Sequence, residues 1–152
     1  MSTTSSLERE IKLGVPDGFR LPDLSDLAPG VTVSPVETAA HTAVYYDTAD
    51  LRLARWDCGL RYRSNDGWTL KLGDVGSGPA VERREFLLTG DPGGPPASAR
   101  DLVQAFCRGA PLEPVVLLRT ERRRLTIRGR AGEPLAELTD DRVTADAGHV
   151  PA

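Results

Sequence analysis

The sequence has few of the features that mark membrane or disulfide-rich proteins. No run approaches the roughly 18 apolar residues that a membrane-spanning helix requires, and residues 1–6 form a short polar leader without a basic or an apolar stretch. Cys58 and Cys107 are the only cysteines, and they lie far apart with no Cys-x-x-Cys pair. We therefore expect a cytoplasmic protein with two inert buried thiols and no membrane partner.

Histidine and lysine are also scarce. His41 and His149 have no Ser or Cys neighbour that would suggest a catalytic triad, so nucleophilic catalysis of that kind is unsupported. Of the 19 basic residues only Lys12 and Lys71 are lysine. The net charge of -3 excludes a globally basic nucleic-acid-binding protein, and we expect no sequence-specific nucleic acid partner.

Glycine and proline are abundant, with 15 and 12 residues, which favours frequent turns and a strand-rich fold of one domain. An Asn65-Asp66-Gly67 turn predicts a hairpin, and Asp47 or Thr48 is expected to cap a helix. The predicted strands are 7–13, 31–36, 42–46, 59–63, 68–72, 80–88, 115–128 and 135–143, and the predicted helices are 22–27, 49–56 and 98–107. This order indicates a mainly β (α+β) protein, either an antiparallel β-barrel or an α+β sheet with short flanking helices.

Several strands carry charged residues at alternate positions. Arg61 and Arg63 share one face of a strand, as do Glu8 and Glu10. Such faces can simply be solvated, which is the common case for one strand of an antiparallel sheet. If they turn inward in a barrel, unpaired buried charges are costly, so an anion would fill the interior. Arginine forks suit a phosphate chain, and Glu8 with Glu10 could hold a divalent cation.

The same residues resemble a known family. Glu8-x-Glu10-x-Lys12 is similar to the N-terminal Glu-x-Glu-x-Lys signature of CYTH domains, the triphosphate tunnel metalloenzymes that include CyaB-type adenylate cyclases and thiamine triphosphatases. Further segments that resemble the family, in family order, are Tyr45-Tyr46-Asp47-Thr48-Ala49-Asp50-Leu51-Arg52-Leu53, Gly59-Leu60-Arg61-Tyr62-Arg63, Trp68-Thr69-Leu70-Lys71, Glu82-Arg83-Arg84-Glu85, Arg119-Thr120-Glu121-Arg122 and Glu137-Leu138-Thr139-Asp140-Asp141-Arg142-Val143. The last segment is similar to bacterial CYTH domains that precede a CHAD domain.

The resemblance implies an eight-stranded antiparallel tunnel that holds a triphosphate with basic residues and one or two Mg²⁺ or Mn²⁺ ions with acidic ones. The implied phosphate-binding residues are Lys12, Arg61, Arg63, Lys71, Arg84 and Arg122, with Arg119 and Arg124 as further contacts. The implied metal ligands are Glu8, Glu10 and Asp141; Asp140 is the alternative to Asp141, which shares its strand face with Glu137. Lys12 and Glu10 are the implied catalytic residues, with Lys12 able to tune an attacking water because neighbouring cations lower the pKa of a lysine.

One family element is absent from the sequence. CYTH domains usually end in another Glu-x-Glu strand, whereas residues 146–152 form only a tail. We expect a disordered leader at 1–6, a CYTH-like tunnel domain at 7–145 that is incomplete at its C-terminus, and possible continuation into a CHAD domain. The resemblance implies metal-dependent hydrolysis of an inorganic or organic triphosphate; the alternatives are a non-catalytic polyphosphate- or nucleotide-binding module and a structural domain whose Arg and Glu faces pair. Gly73-x-x-Gly76-x-Gly78 is expected to be a connector, since no P-loop Lys-Ser/Thr follows.

Overall fold

The computed structural model describes residues 3–73 and 81–146, so the glycine-rich connector beyond Gly73 and the tail beyond Asp146 lie outside the described residues. The described chain is a mainly antiparallel β-sheet of eight strands with two short helices. In chain order the elements are β1 (Thr3–Glu10), β2 (Thr32–Val33), β3 (Glu37–Asp47), α1 (Arg52–Arg55), β4 (Gly59–Arg63), β5 (Gly67–Gly73), β6 (Val81–Leu88), α2 (Ala97–Cys107), β7 (Glu113–Arg128) and β8 (Pro134–Asp146).

The chain divides into two compact units. The first unit contains residues 1–13, 42–118 and 145–152, and the second contains residues 14–41 and 119–144. Within the first unit the strands are ordered β1-β6-β5-β4-β3, and within the second unit β7 pairs with β2 and with β8. The predicted antiparallel β fold with short helices is confirmed. The predicted closed barrel is not, because β1 pairs only with β6 and β8 pairs only with β7 among the described strands.

The core of the first unit lies between one face of the sheet and α2. Trp68, which is fully buried, stacks at a tilt against Tyr46 and Tyr62 with ring centroids 5.0 and 5.3 Å away, and its indole Nε1 donates to the carbonyl of Asp91 at 2.9 Å. The buried cluster around Trp68 contains Leu53, Cys58, Leu60, Leu70, Leu88, Ala99, Val103 and Cys107. Because side chains alternate along a strand, filling this face with apolar residues leaves the other face for the polar ones.

The helix expected at 49–56 is shorter than predicted. Leu51 adopts a left-handed conformation with φ of 56°, which prevents helix geometry from starting earlier, and α1 covers only Arg52–Arg55. Asp47 and Thr48 both satisfy its free backbone donors. The buried Asp47 carboxylate accepts from the amides of Leu53 and Ala54 at 2.8 and 3.0 Å, and the Thr48 hydroxyl accepts from Arg52 at 3.0 Å.

The helix predicted at 22–27 is wrong. Asp23 instead accepts hydrogen bonds from the amide and the hydroxyl of Ser25 at 2.9 and 2.7 Å, and this local bonding competes with helix formation. Within this segment the leucines form only an isolated turn, in which the amide of Leu27 donates to the carbonyl of Leu24.

The other predicted elements are confirmed with shifted ends. The β4–β5 hairpin pairs Arg63 with Gly67, whose φ of 73° suits a glycine. Helix α2 begins at Ala97, one residue before the expected start, with Pro96 as its N-cap. Strand β1 begins at Thr3, inside the segment expected to be a leader, and ends before Lys12. No helix in the described ranges is long and apolar enough to cross a bilayer.

Candidate anion and metal site

The first unit places charged side chains together on the sheet face opposite α2. Cross-strand partners share a face, and the register opposes Lys71 to Glu85 and Glu8 to Arg83. We call this surface the charged face; its residues are Glu8, Glu10, Arg61, Arg63, Lys71, Arg83 and Glu85. It therefore carries four cations and three carboxylates.

Lys71 lies between two carboxylates of the charged face. Its Nζ is 2.5 Å from Glu8 Oε2 and 3.3 Å from Glu85 Oε2, and all three side chains are partly buried. Glu85 is on β6 directly opposite Lys71, whereas Glu8 is on β1 beyond β6, so the lysine side chain crosses β6 to reach it. The ammonium group thus occupies a position that two carboxylates make favourable for a cation.

Arg83 is held by two further carboxylates. Its guanidinium lies 3.5 Å from Glu10 Oε1 and 2.7 Å from Asp57 Oδ1. Asp57 follows α1 in a left-handed conformation with φ of 54°, and its carboxylate reaches Arg83 across Gly73. A Cβ at Gly73 would approach the Cβ and the carbonyl oxygen of Asp57 to 3.0 Å, so glycine at this position permits the ion pair.

Arg84 does not lie on the charged face. The register pairs it with Leu7 and Leu72, which puts its exposed side chain on the other face of the sheet. The sequence prediction placed Arg84 among the phosphate-binding residues, and the structure brings Arg83 to the charged face instead. The stretch from Glu82 to Glu85 reads Glu-Arg-Arg-Glu, so either parity offers one arginine and one glutamate. Alternation alone therefore could not decide between the two arginines.

Arg61 and Arg63 form a like-charged pair on β4. The Arg63 side chain is 11% exposed, and its pKa is lowered by burial first and by the charge of Arg61 second. Asp66 lies 3.3 Å from Arg63, whereas Arg61 forms no ion pair within the described parts of the chain. The Nε atoms of both arginines are buried and form no hydrogen bond with any residue that the structure describes. An anion with several oxygens would satisfy these donors and relieve the repulsion.

The carboxylates of the charged face fit a divalent cation that arrives with a phosphate. Among the described residues, Glu10 Oε1 is buried without a hydrogen bond, although the ammonium of Lys12 and the guanidinium of Arg83 lie 3.1 and 3.5 Å from it. Mg²⁺ is usually bound through one or two protein carboxylates together with substrate phosphates, so Glu8 and Glu10 suffice for such a role. Within residues 3–73 and 81–146 no group of three His, Cys, Asp or Glu side chains is arranged to hold a metal alone.

Lys12 is on the edge of this arrangement. It follows the end of β1 and is 65% exposed, with Glu10 as its contact. Its predicted catalytic role stays a prediction.

The second unit has its own set of ion pairs between β7, β8 and β3. Arg122 donates to both oxygens of Asp141, with distances of 2.8 and 2.6 Å. Arg124 lies 2.6 Å from Glu37 and 3.7 Å from Glu137. These contacts put Asp141 and Glu137 on one face of β8, as their parity predicted.

The remaining predicted residues of this unit have simpler surroundings. Asp140 pairs with Arg123, and Arg119 is exposed on β7. Arg122 and Asp141 belong to the second unit and Glu8 and Glu10 to the first, so the predicted three-carboxylate metal site stays a prediction.

Sequence reasoning missed Asp57, Arg83 and Glu85 as members of the site. The alternation of side chains along β6 would have predicted Arg83 and Glu85 if the pairing of Glu85 with Lys71 had been known. Asp57 lies outside any strand and has no periodic signal, and only the close approach of Gly73 reveals it. The predicted Glu8, Glu10, Arg61, Arg63 and Lys71 do share the charged face.

Comparison with known proteins identifies the family. The CYTH domain model matches residues 6–148. Two uncharacterized proteins of Mycobacterium tuberculosis, MT2285 from strain CDC 1551 / Oshkosh and Rv2226 from strain H37Rv, are each 36% identical in an alignment over 143 residues that covers 91% of this chain. The chain spans only 27% of the length of these relatives.

The chain is also similar to a crystal structure of a candidate adenylate cyclase from Bacillus halodurans, with 15% identity and a TM-score of 0.36. The alignment covers 74% of this chain and 67% of that one. On the family match over nearly its whole length, this chain belongs to the CYTH domain family, a triphosphate tunnel family.

Proposed function

We propose that the charged face binds the phosphate chain of a triphosphate and, with Mg²⁺ or Mn²⁺, hydrolyses it. The observation that carries the proposal is the Arg61–Arg63 pair, because two adjacent guanidiniums with buried, unpartnered Nε atoms are costly without an anion. Family membership supports the same substrate class, since the CYTH domain family is a triphosphate tunnel family. It also supports the divalent cation, since CYTH enzymes are generally metal-dependent.

The residues of the charged face would act by binding and charge neutralisation. Arg61 and Arg63 would hold phosphate oxygens, and Arg83 would take the role predicted for Arg84. Glu8 and Glu10 would hold the divalent cation, whose chemistry is to neutralise phosphate oxygens and orient a water for in-line attack. Once a cation relieves Glu8, the Lys71 ammonium becomes available to a phosphate oxygen. No side-chain nucleophile is needed for this reaction.

We also propose roles in triphosphate hydrolysis for three further residues, Lys12, Arg122 and Asp141. Lys12 would assist the water through its ammonium next to Glu10. Arg122 would bind phosphate and Asp141 metal only after their mutual bidentate ion pair opens. An appended domain, such as the CHAD domain that the sequence resemblance implies, is likewise a proposal that the greater length of the relatives supports.

A second candidate is a module that binds a phosphate chain without turnover. The observation in its favour is that Glu8 and Glu10 are already neutralised by Lys71, Arg83 and Lys12. Carboxylates so engaged bind a metal only by giving up these partners. This candidate shares the anion site but not the metal chemistry.

Release of phosphate from tripolyphosphate, with and without Mg²⁺ or Mn²⁺, tests the proposal. We expect metal-dependent turnover that Glu10→Gln abolishes. Arg83→Ala should weaken tripolyphosphate binding, whereas Arg84→Ala, on the opposite face, should not; these adjacent variants are matched in chemistry. Binding without turnover that is unchanged in Glu10→Gln would support the module. Absence of thermal stabilisation by tripolyphosphate would exclude both.

A further inference from the structure

The two helices of the first unit form a second basic surface that the triphosphate chemistry does not use. A groove of about 440 Å³ lies between α1 and the end of α2. Its lining residues are Arg52, Arg55, Trp56, Ala105, Phe106 and Arg108, which we call the helix groove. None of the described residues that line it is a carboxylate.

The centre of the helix groove is apolar and exposed. Trp56 is 65% exposed although it is one of the largest apolar side chains in the protein, and its ring is tilted against Phe106 with centroids 6.1 Å apart. The other tryptophan, Trp68, is completely buried. An exposed tryptophan beside a second aromatic ring is typical of surfaces that bind a partner, because covering it removes a large apolar area from water.

The rim of the helix groove is cationic. Arg52 is anchored, since its guanidinium donates to the carbonyl of Cys107 at 2.5 Å and pairs with Asp50 at 3.0 Å. Within the described ranges, Arg55 and Arg108 have no carboxylate partner. Two unpaired arginines and an anchored third therefore present positive charge on a protein whose net charge is -3.

We propose that the helix groove binds an acidic protein segment that also carries an apolar side chain. Charge complementarity requires carboxylates opposite Arg55 and Arg108. A free inorganic anion would satisfy the arginines but leave Trp56 in water, and an uncharged apolar segment would cover Trp56 but leave the arginines unpaired. Tryptophan and arginine are also the residues most enriched among those that dominate binding energy at protein interfaces.

Tryptophan fluorescence tests this proposal, because only Trp56 is exposed and able to report on the groove. The probe is a short synthetic peptide that is rich in Glu and contains one Leu; its control replaces every Glu with Gln. We expect the Glu peptide to change the Trp56 emission with a salt-sensitive affinity, and the Gln peptide to bind much more weakly. The full chain is used, and Trp56→Phe should remove the signal.

Paired variants locate the binding site. Arg55→Ala with Arg108→Ala should weaken peptide binding by about three- to tenfold, because two exposed charge pairs are lost. Arg61→Ala with Arg63→Ala should leave peptide binding unchanged. Tripolyphosphate binding should persist in the Arg55/Arg108 variant, so this proposal and the proposed function can fail independently.

The proposal is overturned if the Glu peptide does not bind at low salt or if the Gln peptide binds as tightly as the Glu peptide. Loss of binding in the Arg61/Arg63 variant rather than in the Arg55/Arg108 variant overturns it as well. A response of Trp56 to tripolyphosphate but not to the Glu peptide would also overturn it, and would identify the groove as a site for small anions.

Discussion

The Lys71 ammonium lies 2.5 Å from Glu8 Oε2 and 3.3 Å from Glu85 Oε2, so one cation serves a carboxylate of the neighbouring strand β6 and a carboxylate of β1, the strand beyond β6. Removing that charge leaves two partly buried carboxylates that repel each other. We expect Lys71→Met to lower the free energy of unfolding by about 1–2 kcal/mol, measured by urea denaturation at neutral pH.

Lys12→Met is the matched control for this change. Lys12 also pairs with a glutamate but is 65% exposed, so its loss should cost less than about 0.5 kcal/mol. If the position between Glu8 and Glu85 favours any cation, Mg²⁺ should recover more stability in Lys71→Met than in the wild type. Equal stability of Lys71→Met and the wild type would contradict the prediction.

Asp57 combines a strained backbone with an ion pair, and substitutions separate the two effects. Asp57→Ala loses the Arg83 contact and keeps a side chain at positive φ, so it should destabilise the protein by about 1–2 kcal/mol. Asp57→Gly loses the same contact but relieves the backbone, and its stability should stay within about 0.5 kcal/mol of the wild type. Thermal unfolding of both variants checks this; equal destabilisation would show that the ion pair dominates.

The bidentate pair of Arg122 and Asp141 should couple more strongly than its neighbour on the same strands. A double-mutant cycle to alanine is expected to give about 1 kcal/mol for Arg122–Asp141, because both guanidinium contacts are short. The Arg124–Glu137 pair, at 3.7 Å and half exposed, should give a clearly smaller coupling energy, because solvent screens exposed charges. Similar coupling for the two pairs would contradict the expectation that the short bidentate contact of Arg122 with Asp141 is the stronger of the two.

The buried thiols predict a loss of stability at alkaline pH. Burial raises the pKa of Cys58 and of Cys107, so the folded protein holds these protons at a pH where the unfolded chain has released them. The stabilisation is complete below the unfolded thiol pKa of about 8.5 and is lost as pH rises from there through the raised folded pKa. Denaturant unfolding between about pH 8 and pH 9.5 measures the slope, below the range in which an ordinary tyrosine titrates.

Cysteine variants identify the source of that slope. Cys58→Ala and Cys107→Ala should each reduce the dependence of unfolding free energy on pH, even where the absolute stability falls through the cavity created. A slope that is the same in the wild type and the double variant would assign the pH dependence to other groups, such as Tyr46, whose pKa burial also raises.

Features that depend on residues close together in the sequence were easier to predict than features that depend on distant residues. The β4–β5 hairpin and the β7–β8 pair could be predicted because their turn residues and alternation are local. The helix at 22–27 failed because the Asp23–Ser25 hydrogen bonds compete with it, and spacing between leucines carries no information on such bonding. Family membership was predictable because several short motifs occur in order along the chain.

By itself, the sequence determined which residues share a face within each strand. A period of two puts Glu8 with Glu10, Arg61 with Arg63 and Asp141 with Glu137, whatever the strands pair with. Only the tertiary structure decided which faces meet. The pairing of β6 with β5 puts Arg83 rather than Arg84 beside the charged face, because a register shift of one residue exchanges the two sides of a strand. The contact of Asp57 with Arg83 across Gly73 likewise joins residues that no local pattern connects.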